Sequence, residues 1–508
     1  GLDLEMPYSG GYNDRQIVKA VQEGRLDEAV LDEAVERVLN VVFAGEEQHR
    51  PEDISDKETD HKKAADIETE CAVLLENNGI LPLNTDRKVA YIGEFAEKPR
   101  YQGGGSSHIN PFRVVSALDA AGEKGRSVTY AKGFSNENDS MTEQELEKAL
   151  RTAAEADVAV IFAGLPEIFE SEGYDRTSMK LPKCQDRLIE EVLKVQPNVV
   201  VVLHNGSPVE LPWADRVSAI LEMYLGGQGV GEACDRLLFG EANPSGRLAE
   251  TFPYRLEDNP SFLHFPGNGK RVLYGEDIFV GYRYYDTKKV PVRYAFGHGL
   301  SYTEFTYGDL TLSSAQMTDE DILTVSLKVK NSGKTEGKEV VQLYVADLCG
   351  ISERPVKELK GFAKVHLLPG EEKTVSMEIS ARNLSYYEER LGDWYAPSGT
   401  YRILIGHASD DIRLHADVVF ETKKKLPLRV DFTTTFGELL DHTKTAPVIT
   451  ELLAPLAAAA ASAEGMSDEY KKLGEQVIRE MPLKSLLGQM PGEQVEQLIG
   501  QLNCLLAQ

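Results

Sequence analysis

Three hydrophobic patterns follow one another along the chain, and each predicts a different kind of structure. Residues 14–44 carry apolar side chains at three- and four-residue intervals, which predicts amphipathic helices interrupted at Gly24. Between about residues 63 and 255, helical patterns alternate with short apolar runs. From about 305 to 421, apolar and polar residues alternate between turns rich in glycine, asparagine and proline, which predicts antiparallel strands.

The middle pattern is typical of a mainly parallel sheet with helices on both faces, because strands that are covered on both sides need no polar face. The predicted strands lie at 89–93, 158–163, 199–204 and 219–223, and the predicted helices at 143–155 and 185–195. Parallel sheets bind ligands at the carboxyl ends of their strands. We therefore expect a site in the loops that follow Gly93, Ala163 and His204.

Shifts in these patterns set the domain boundaries. Residues 1–48 hold helices that cannot close a core alone and must pack on another element. We then expect an exposed charged linker at 49–70, an α/β sandwich domain at 71–256, a connecting segment at 257–304, a fibronectin type III-like β-sandwich at 305–421 and a helical extension at 422–508.

The helical extension carries two further predictions. The stretch LLAPLAAAAASAEG, residues 452–465, predicts a low-complexity hinge. The helical pattern after it has an apolar face that suits a neighbouring element or a second copy of the chain. This makes a homo-oligomer one expectation for the protein.

Composition narrows the class of protein. A formal net charge of −27 makes nucleic acid and anionic membranes poor partners. The 5 cysteines are scattered, with no Cys-x-x-Cys pair, which argues against a zinc site or a disulfide framework. No apolar run reaches the roughly 18–20 residues that a membrane span needs. We therefore expect a cytoplasmic protein in a reducing compartment.

An acidic loop, EIFESEGYDR at 167–176, follows the predicted strand 158–163. A carboxylate there could act as a general acid, and we expect partial burial to raise its pKa while Tyr174 shields it from water. Asp175 is expected to stay ionised beside Arg176. A surface loop with a local ion pair explains the same residues and, from the loop alone, is the commoner outcome. A metal site is disfavoured because no histidine lies nearby.

Other polar turns follow the predicted strands. In YQGGGSSHINP, 101–111, the glycines let backbone amides approach a ligand, while the serines offer hydrogen bonds. The stretch is not GxGxxG and lacks a phosphate-loop lysine, which disfavours a nucleotide. HNGSPVELPW, 204–213, and GEANPSGRLAETFP, 240–253, are similar turns. Together at one sheet edge they predict a polar pocket for a hydroxyl-rich ligand.

The order of motifs resembles glycoside hydrolase family 3, of the β-glucosidase and β-xylosidase type. The motifs are GLDLEMP (1–7), VLLENNGILPL (73–83), GGGSS (103–107), ESEGYDR (170–176), LGGQGVGEA (225–233), NPSGRLAETFP (243–253), GEDIFVGYRYYD (275–286), YAFGHGLSYTEF (294–305), ELKGFAKVHLLPGEEKTV (358–375) and WYAPSGTYRILIG (394–406). The resemblance implies a (β/α)8-like barrel, then an α/β sandwich, then a fibronectin type III-like domain. Residues 1–48 would be the last stretch of that barrel.

The resemblance also implies where the two catalytic carboxylates lie. The family's nucleophile is a barrel aspartate, usually written Ser-Asp-Trp, and no such triplet occurs here; the only Asp-Trp pair, Asp393–Trp394, lies in the late β domain. We therefore expect the nucleophile outside this chain. By motif match the acid/base is Glu172, with Glu170 as the fallback. Retaining hydrolysis would bring the two carboxyl groups to roughly 5–5.5 Å.

The remaining implied site residues bind or position substrate. Asp175 and Arg176 would hold the loop and touch sugar at an outer subsite, and Gln102, Ser106 and Ser107 would position their loop near the cleft. No metal or organic cofactor is implied. The favoured function is a retaining β-glycosidase that removes terminal β-linked glucose or xylose, with the barrel supplied in cis or in trans. The alternative is a non-catalytic carbohydrate-binding or assembly fragment.

Overall fold

The computed structural model describes residues 2–50, 55–350, 353–461 and 468–507. The chain divides into two compact units. Unit 1 comprises Gly1–Gly275, Val290–Glu304 and Gly333–Lys338, and unit 2 comprises Glu276–Lys289, Phe305–Ser332 and Glu339–Gln508. The segment 257–304, expected to connect two domains, is therefore shared between the units.

Unit 1 is the α/β part of the chain. Its helices are α1 (Tyr12–Gln22), α2 (Glu28–Gln48), α3 (Lys57–Cys71), α4 (Ala117–Glu123), α5 (Glu143–Ala154), α6 (Lys183–Val192) and α7 (Val230–Leu238). Its strands are β1 (Val73–Asn77), β2 (Val89–Ile92), β3 (Val128–Ala131), β4 (Val158–Gly164), β5 (Val199–His204), β6 (Ala219–Glu222), β7 (Phe252–Pro253) and β8 (Val292–Tyr294).

A 6-stranded sheet in the order β1-β6-β5-β4-β2-β3 forms the centre of unit 1. All neighbours run parallel except β1, which pairs antiparallel with β6. Strands β4, β5 and β6 are buried along their whole length, as their uninterrupted apolar runs predict. The predicted strands and the mainly parallel sheet are confirmed.

The linker expected at 49–70 is wrong over most of its length, because α3 occupies Lys57–Cys71. The Asp56 carboxylate accepts hydrogen bonds from the first main-chain N–H groups and so caps the helix. His61 is fully buried, and its ring nitrogens lie 2.8 Å from Gln228 Nε2 and 2.8 Å from Glu232 Oε1. The charged outer face of α3 gave the sequence its linker-like composition, whereas the inner face packs on α7.

Residues 1–48 contain α1 and α2, and neither helix has a buried side chain. The apolar stripe of α2 remains open to solvent, since Val41 is 74% and Phe43 57% exposed. An amphipathic helix in water normally has its apolar face covered. Among the described residues, nothing covers this one.

Unit 2 combines a β-sandwich with helices. Its helices are α8 (Tyr282–Lys288), α9 (Ala381–Leu384), α10 (Phe436–Asp441), α11 (Ala446–Ala461), α12 (Asp468–Glu480) and α13 (Gly492–Ala507). Its strands are β9 (Phe305–Leu312), β10 (Gln316–Thr318), β11 (Ile322–Asn331), β12 (Gly337–Asp347), β13 (Glu358–Leu367), β14 (Glu372–Ser380), β15 (Tyr386–Glu388), β16 (Asp393–Tyr395), β17 (Gly399–Gly406) and β18 (Ile412–Glu421).

The sandwich consists of a 5-stranded sheet, β10-β18-β17-β12-β13, and a 3-stranded sheet, β14-β11-β9. Strand β11 shows why the sequence predicts this arrangement: Leu323, Val325, Leu327 and Val329 are buried, and the residues between them are not. Alternate side chains of a strand point to opposite faces, so one face enters the core. The predicted fibronectin type III-like sandwich is confirmed.

The hinge expected at 452–465 is wrong where the structure describes it, because α11 continues to Ala461; positions 462–465 lie outside the described residues. Alanine has the highest helix propensity of all residues, which explains a helix through this low-complexity run. The extension has its own apolar core, which includes Phe436, Leu439 and Ile449. None of the helices in the described ranges is long and apolar enough to cross a membrane.

Glycine at the end of β2 permits a close backbone approach that no other residue allows. Gly93 has a φ of 109°, and a Cβ there would collide with the main-chain oxygen of Phe162. Gly79 has a φ of 99° but nothing within 4 Å of the same position.

We predict that Gly93→Ala lowers the free energy of unfolding by about 3 kcal/mol or more, because backbone of β2 and β4 must separate. Gly79→Ala is the matched control, because Gly79 has a similar positive φ but no close neighbour. It should lower the free energy of unfolding by only about 1–2 kcal/mol. Urea unfolding followed by circular dichroism measures both. Equal losses in the two variants would contradict the close-approach explanation.

Candidate active site

Two loops of unit 1 meet beyond the carboxyl ends of β2 and β4. The main-chain N–H of Glu172 donates to the oxygen of Gly104 at 3.4 Å. Gly105 has a φ of 88°, and a Cβ at this position would lie 2.6 Å from the Cβ of Glu172. A glycine is therefore required where the first loop passes under Glu172. The structure brings together the glycine-rich and the acidic stretches that the sequence singled out.

Glu172 is exposed, and its carboxylate is held by one residue of the neighbouring loop. The main-chain N–H of Ser106 donates to Oε2 at 2.6 Å, and the Ser106 hydroxyl donates to the same oxygen. The hydroxyl, followed by the N–H, stabilises the ionised form and lowers the pKa of Glu172 below its ordinary value.

The expectation of a partly buried carboxylate with a raised pKa is therefore wrong for this arrangement of the loops. Glu172 lies at an exposed loop position, where hydrogen bonding to the charged form outweighs desolvation. Tyr174 does not shield it from water, since the tyrosine is 50% exposed and its hydroxyl donates to the main-chain oxygen of Glu167 at 2.7 Å.

Glu170 has a different environment, in which both carboxylate oxygens have protein partners. Arg100 Nη1 and the N–H of Gly206 each donate to Oε2 at 2.8 Å, and the Ser207 hydroxyl donates to Oε1. Arg100 also donates to the main-chain oxygens of Glu170 at 2.7 Å and of Leu165 at 2.8 Å. Glu170 thus ties together the loops that follow β2, β4 and β5.

Arg176 belongs to the same network, whereas Asp175 does not. Arg176 Nη1 lies 3.6 Å from Glu170 Oε1 and donates to the Ser207 hydroxyl and to the Pro208 oxygen, the latter at 3.3 Å. The local ion pair between Asp175 and Arg176 that the sequence allows does not form, because the guanidinium turns inward. Asp175 is exposed and lines two pockets of about 470 and 450 Å³.

Gln102 and Ser107 shape the glycine-rich loop. Gln102 Oε1 accepts from the N–H of Ile109 at 3.0 Å, and its Nε2 donates to the Tyr101 hydroxyl at 3.2 Å. Ser107 Oγ lies 3.5 Å from the oxygen of Gly104, which is a long hydrogen bond. Both residues therefore lie in the loop that supports Ser106 and Glu172.

A buried acidic cluster beside these loops was not predicted from the sequence. Glu222 ends β6 and is fully buried; it accepts from Asn205 Nδ2 at 3.0 Å and from the N–H of Tyr224 at 2.8 Å. The Tyr224 hydroxyl donates to Glu250 Oε1 at 3.1 Å. Asn205 and Glu250 lie in HNGSPVELPW and GEANPSGRLAETFP, so the polar turns signalled this region but not its acidity.

Burial controls the charge of this acidic cluster. It raises the pKa of Glu222 to about 8, and the nearby carboxylates of Glu250 and Glu68 raise it further. Burial also raises the pKa of Glu68 to about 8 and that of Glu250 to about 7. Glu68 and Glu222 therefore hold protons at neutral pH and Glu250 holds one part of the time, whereas the lowered pKa of Glu172 favours its ionised form.

His204, at the end of β5, is buried and stacks on Phe162 with ring centroids 6.3 Å apart. Burial, followed by the charge of Arg100, lowers the pKa of His204 to about 4, so the ring is neutral. Within the described ranges, no group of three or more histidine, cysteine, aspartate or glutamate side chains is arranged to hold a metal ion. The polar groups at this edge of the sheet are carboxylates, hydroxyls, main-chain N–H groups and a guanidinium, which can form hydrogen bonds to a hydroxyl-rich ligand.

The sequence also matches known families over both units. The family description "Glycosyl hydrolase family 3 C-terminal domain" matches residues 72–302, and "Fibronectin type III-like domain" matches residues 339–409. A thermostable beta-glucosidase B from Acetivibrio thermocellus is 46% identical over 511 residues, which cover 99% of this chain and 67% of that protein. The chain therefore belongs to glycoside hydrolase family 3.

Two further comparisons agree with this assignment. An exo-alpha-(1->6)-L-arabinopyranosidase from Bifidobacterium breve is 38% identical over all of this chain and 66% of its own length. The crystal structure of a GH3 beta-glucosidase from Bifidobacterium adolescentis superimposes with a TM-score of 0.81 at 38% identity and covers 88% of this chain and 66% of that one. The chain thus spans about two thirds of the length of these relatives.

The buried acidic cluster predicts a pH dependence of stability. A carboxyl group whose pKa is higher in the folded than in the unfolded state stabilises the fold at low pH, and this contribution is lost as pH rises through the folded pKa. Glu68 and Glu222 lose their protons around pH 8 and Glu250 around pH 7, against an ordinary value of 4.5. Below pH 6.5 the lowered pKa of His204 acts in the opposite direction.

We predict that the free energy of unfolding falls by about 2 kcal/mol or more between pH 6.5 and pH 8.5. Glu222→Gln cannot ionise and should therefore make the free energy of unfolding depend less on pH. The control Glu257→Gln changes an exposed carboxylate and should leave the pH dependence unchanged. Urea unfolding at five pH values measures the effect. A stability that stays level or rises over this range would contradict the assigned protonation.

Proposed function

We propose that this chain carries the acid/base half of a retaining β-glycosidase that releases terminal, non-reducing β-linked glucose or xylose from short oligosaccharides and glycosides. The observation that carries the proposal is the position of Glu172, an exposed carboxylate in a loop beyond the carboxyl end of a parallel strand. Relatives named beta-glucosidase support the substrate class.

Geometry favours Glu172 over Glu170 as the acid/base. A general acid must approach the substrate oxygen within hydrogen-bonding distance. The Glu170 carboxylate already accepts from Arg100, Gly206 and Ser207, and its displacement would break the contact between three loops. Glu172 accepts only from Ser106 among the described residues, so it can exchange that partner for a substrate at little cost.

We propose that the nucleophilic aspartate is supplied by a barrel segment outside these 508 residues. The one Asp-Trp pair, Asp393–Trp394, lies in β16 of unit 2, and Asp393 pairs with Lys424 at 2.7 Å, which is a surface ion pair. The apolar face of α2 is exposed among the described residues, which supports the proposal that a further segment packs on this helix. The greater length of the relatives supports it as well.

The proposed reaction has two steps with balanced proton transfer. The aspartate attacks the anomeric carbon while Glu172 gives its proton to the departing glycosidic oxygen, which leaves a glycosyl ester and an ionised Glu172. Glu172 then takes a proton from water, whose oxygen attacks the anomeric carbon and releases the aspartate. The negative charge of the aspartate raises the pKa of Glu172, against the effect of Ser106.

The first test compares the chain alone with a fusion to the part of the A. thermocellus relative that lies outside the match. The substrates are p-nitrophenyl β-glucoside, β-xyloside and, given the name of the B. breve relative, α-L-arabinopyranoside. We predict hydrolysis by the fusion and none by the chain alone. Activity of the chain alone would place the nucleophile within it, and an inactive but folded fusion would favour a non-catalytic carbohydrate-binding role.

In the active fusion, Glu172→Gln should lower kcat/KM for methyl β-glucoside by about 10²–10⁴-fold, because the alkoxide leaving group needs a proton. The loss should be smaller for p-nitrophenyl β-glucoside, whose leaving group needs little assistance. Glu167→Gln is the matched control, since it removes an exposed carboxylate of the same loop. Unchanged turnover of methyl β-glucoside in Glu172→Gln would exclude this residue as the acid.

The hydrogen bonds from Ser106 give a separate prediction. The acid must be protonated, so activity on methyl β-glucoside falls as pH rises through the pKa of Glu172. Ser106→Ala removes the hydroxyl that most lowers this pKa and should therefore move the basic limb of the kcat/KM profile to higher pH. Ser107→Ala, which loses only a long hydrogen bond, should leave the limb in place. A shift in both variants, or in neither, would contradict the assignment.

A further inference from the structure

Tyr224 follows β6 in a backbone conformation that side chains other than glycine rarely adopt. Its φ is 48°, in the left-handed region. Two carboxyl groups hold the residue there: its main-chain N–H donates to Glu222 Oε1 at 2.8 Å, and its hydroxyl donates to Glu250 Oε1 at 3.1 Å. Strained residues of this kind persist only where their surroundings fix them. Tyr224 therefore determines where the Glu250 carboxyl group lies.

The Glu250 carboxyl group lies close enough to Arg176 of the acidic loop for their charges to interact. Thr251, the next residue, lines the same pocket as Arg176. Burial raises the pKa of Glu250 to about 7, while the Tyr224 hydroxyl and the charge of Arg176 lower it. Tyr224 is the only hydrogen-bond partner of this carboxyl group among the described residues, which leaves Oε2 for a further donor.

Arg176 can supply that donor, because its guanidinium is only partly engaged. Nη1 donates to Ser207 and Pro208, whereas Nη2 is buried and has no partner among the described residues. Glu170 lies 3.6 Å from Nη1, but other donors already satisfy both of its oxygens. Buried donors are normally satisfied, so Nη2 favours a carboxylate that ionises nearby.

We propose that Glu250 is a pH-sensitive partner of Arg176 that controls how firmly the acidic loop is held. While Glu250 is protonated, Arg176 stays on Ser207 and Pro208 and ties the acidic loop to the loop after β5. When Glu250 loses its proton, its charge draws the guanidinium away, because charge-assisted hydrogen bonds are stronger than those to neutral groups. The acidic loop then loses one attachment. This device involves no turnover and is independent of the proposed function.

Other groups around Glu250 also respond to pH or carry charge. Those that interact electrostatically with it come from the acidic loop and the end of β6: Glu170, Arg176, Tyr224 and Glu222. Glu222 ionises at higher pH, since burial raises its pKa to about 8. On the acidic loop, His108 Nε2 lies 3.2 Å from Glu167 Oε2, an ion pair that requires a protonated histidine. A test must separate these groups from Glu250.

Hydrogen–deuterium exchange of the 508-residue chain, followed by mass spectrometry from pH 6 to 8.5 and corrected for intrinsic exchange rates, measures the loop directly. We expect peptides that cover 167–178 to exchange about threefold faster or more at the upper end of this range. The midpoint should lie near pH 7. Glu250→Gln, which cannot ionise, should remove the transition. Tyr224→Phe loses a hydrogen bond that lowers the pKa of Glu250, so it should move the midpoint to higher pH.

Two control variants should keep the transition near pH 7. Glu222→Gln removes the neighbouring titratable carboxyl group, and Tyr254→Phe changes an exposed tyrosine near Glu250 in the chain. Circular dichroism verifies that each variant is folded, and the Tyr224 and Glu250 variants provide independent tests.

Three results would overturn the proposal. The first is exchange of the acidic loop that does not change with pH in the unmodified chain. The second is a transition that persists in Glu250→Gln, which would assign it to another group such as His108, or one that disappears in Glu222→Gln. The third is a midpoint that Tyr224→Phe leaves in place. Since none of these measurements involves a substrate, a fusion without glycosidase activity would refute the proposed function and leave this result unaffected.

Discussion

The Arg100–Glu170 ion pair is the contact on which the arrangement of the candidate site depends. Arg100 donates to the Glu170 carboxylate and to the main-chain oxygens of Leu165 and Glu170, while Gly206 and Ser207 donate to the same carboxylate. Loops from three strand ends therefore converge on one carboxyl group. A buried ion pair adds little net stability because desolvation offsets the attraction, but it penalises other arrangements strongly. Its effect here is to define where the loops lie.

The two glutamates of the acidic loop illustrate how position alone gives two nearby carboxylates different environments. Glu170 has partners for both oxygens, and Glu172, two residues later, is exposed and bound only by Ser106 among the described residues. The first fixes the loop, which leaves the second at its accessible surface. The lowered pKa of Glu172 shows that this half of the site favours the carboxylate; protonation in the proposed reaction requires a second negative charge nearby.

Burial raises the pKa values of three other carboxyl groups in unit 1, those of Glu68, Glu222 and Glu250. Glu222 and Glu68 are removed from water, and burial raises the pKa of each to about 8. Uncharged carboxyl groups limit the repulsion that Glu222 would otherwise experience from Glu250 and Glu68. A chain with a net charge of −27 can thus hold a dense acidic cluster beside a site because desolvation, rather than counter-charge, suppresses ionisation.

The amino-acid sequence by itself determined the sheet, the sandwich and the acidic loop, because strand periodicity and turn chemistry are local properties. The bounds of β4 and β5 could be predicted to within a residue from their apolar runs, and the position of the loop that holds Glu172 followed from them. Helix α3 could not be predicted, because most of its side chains are charged and the sequence pattern does not indicate that His61 is buried. Only the tertiary structure decided that Glu172 is exposed while Glu170 is paired, and that Glu222 and Glu250 meet at Tyr224. Burial and through-space partners depend on residues distant in the chain, and no local pattern records them.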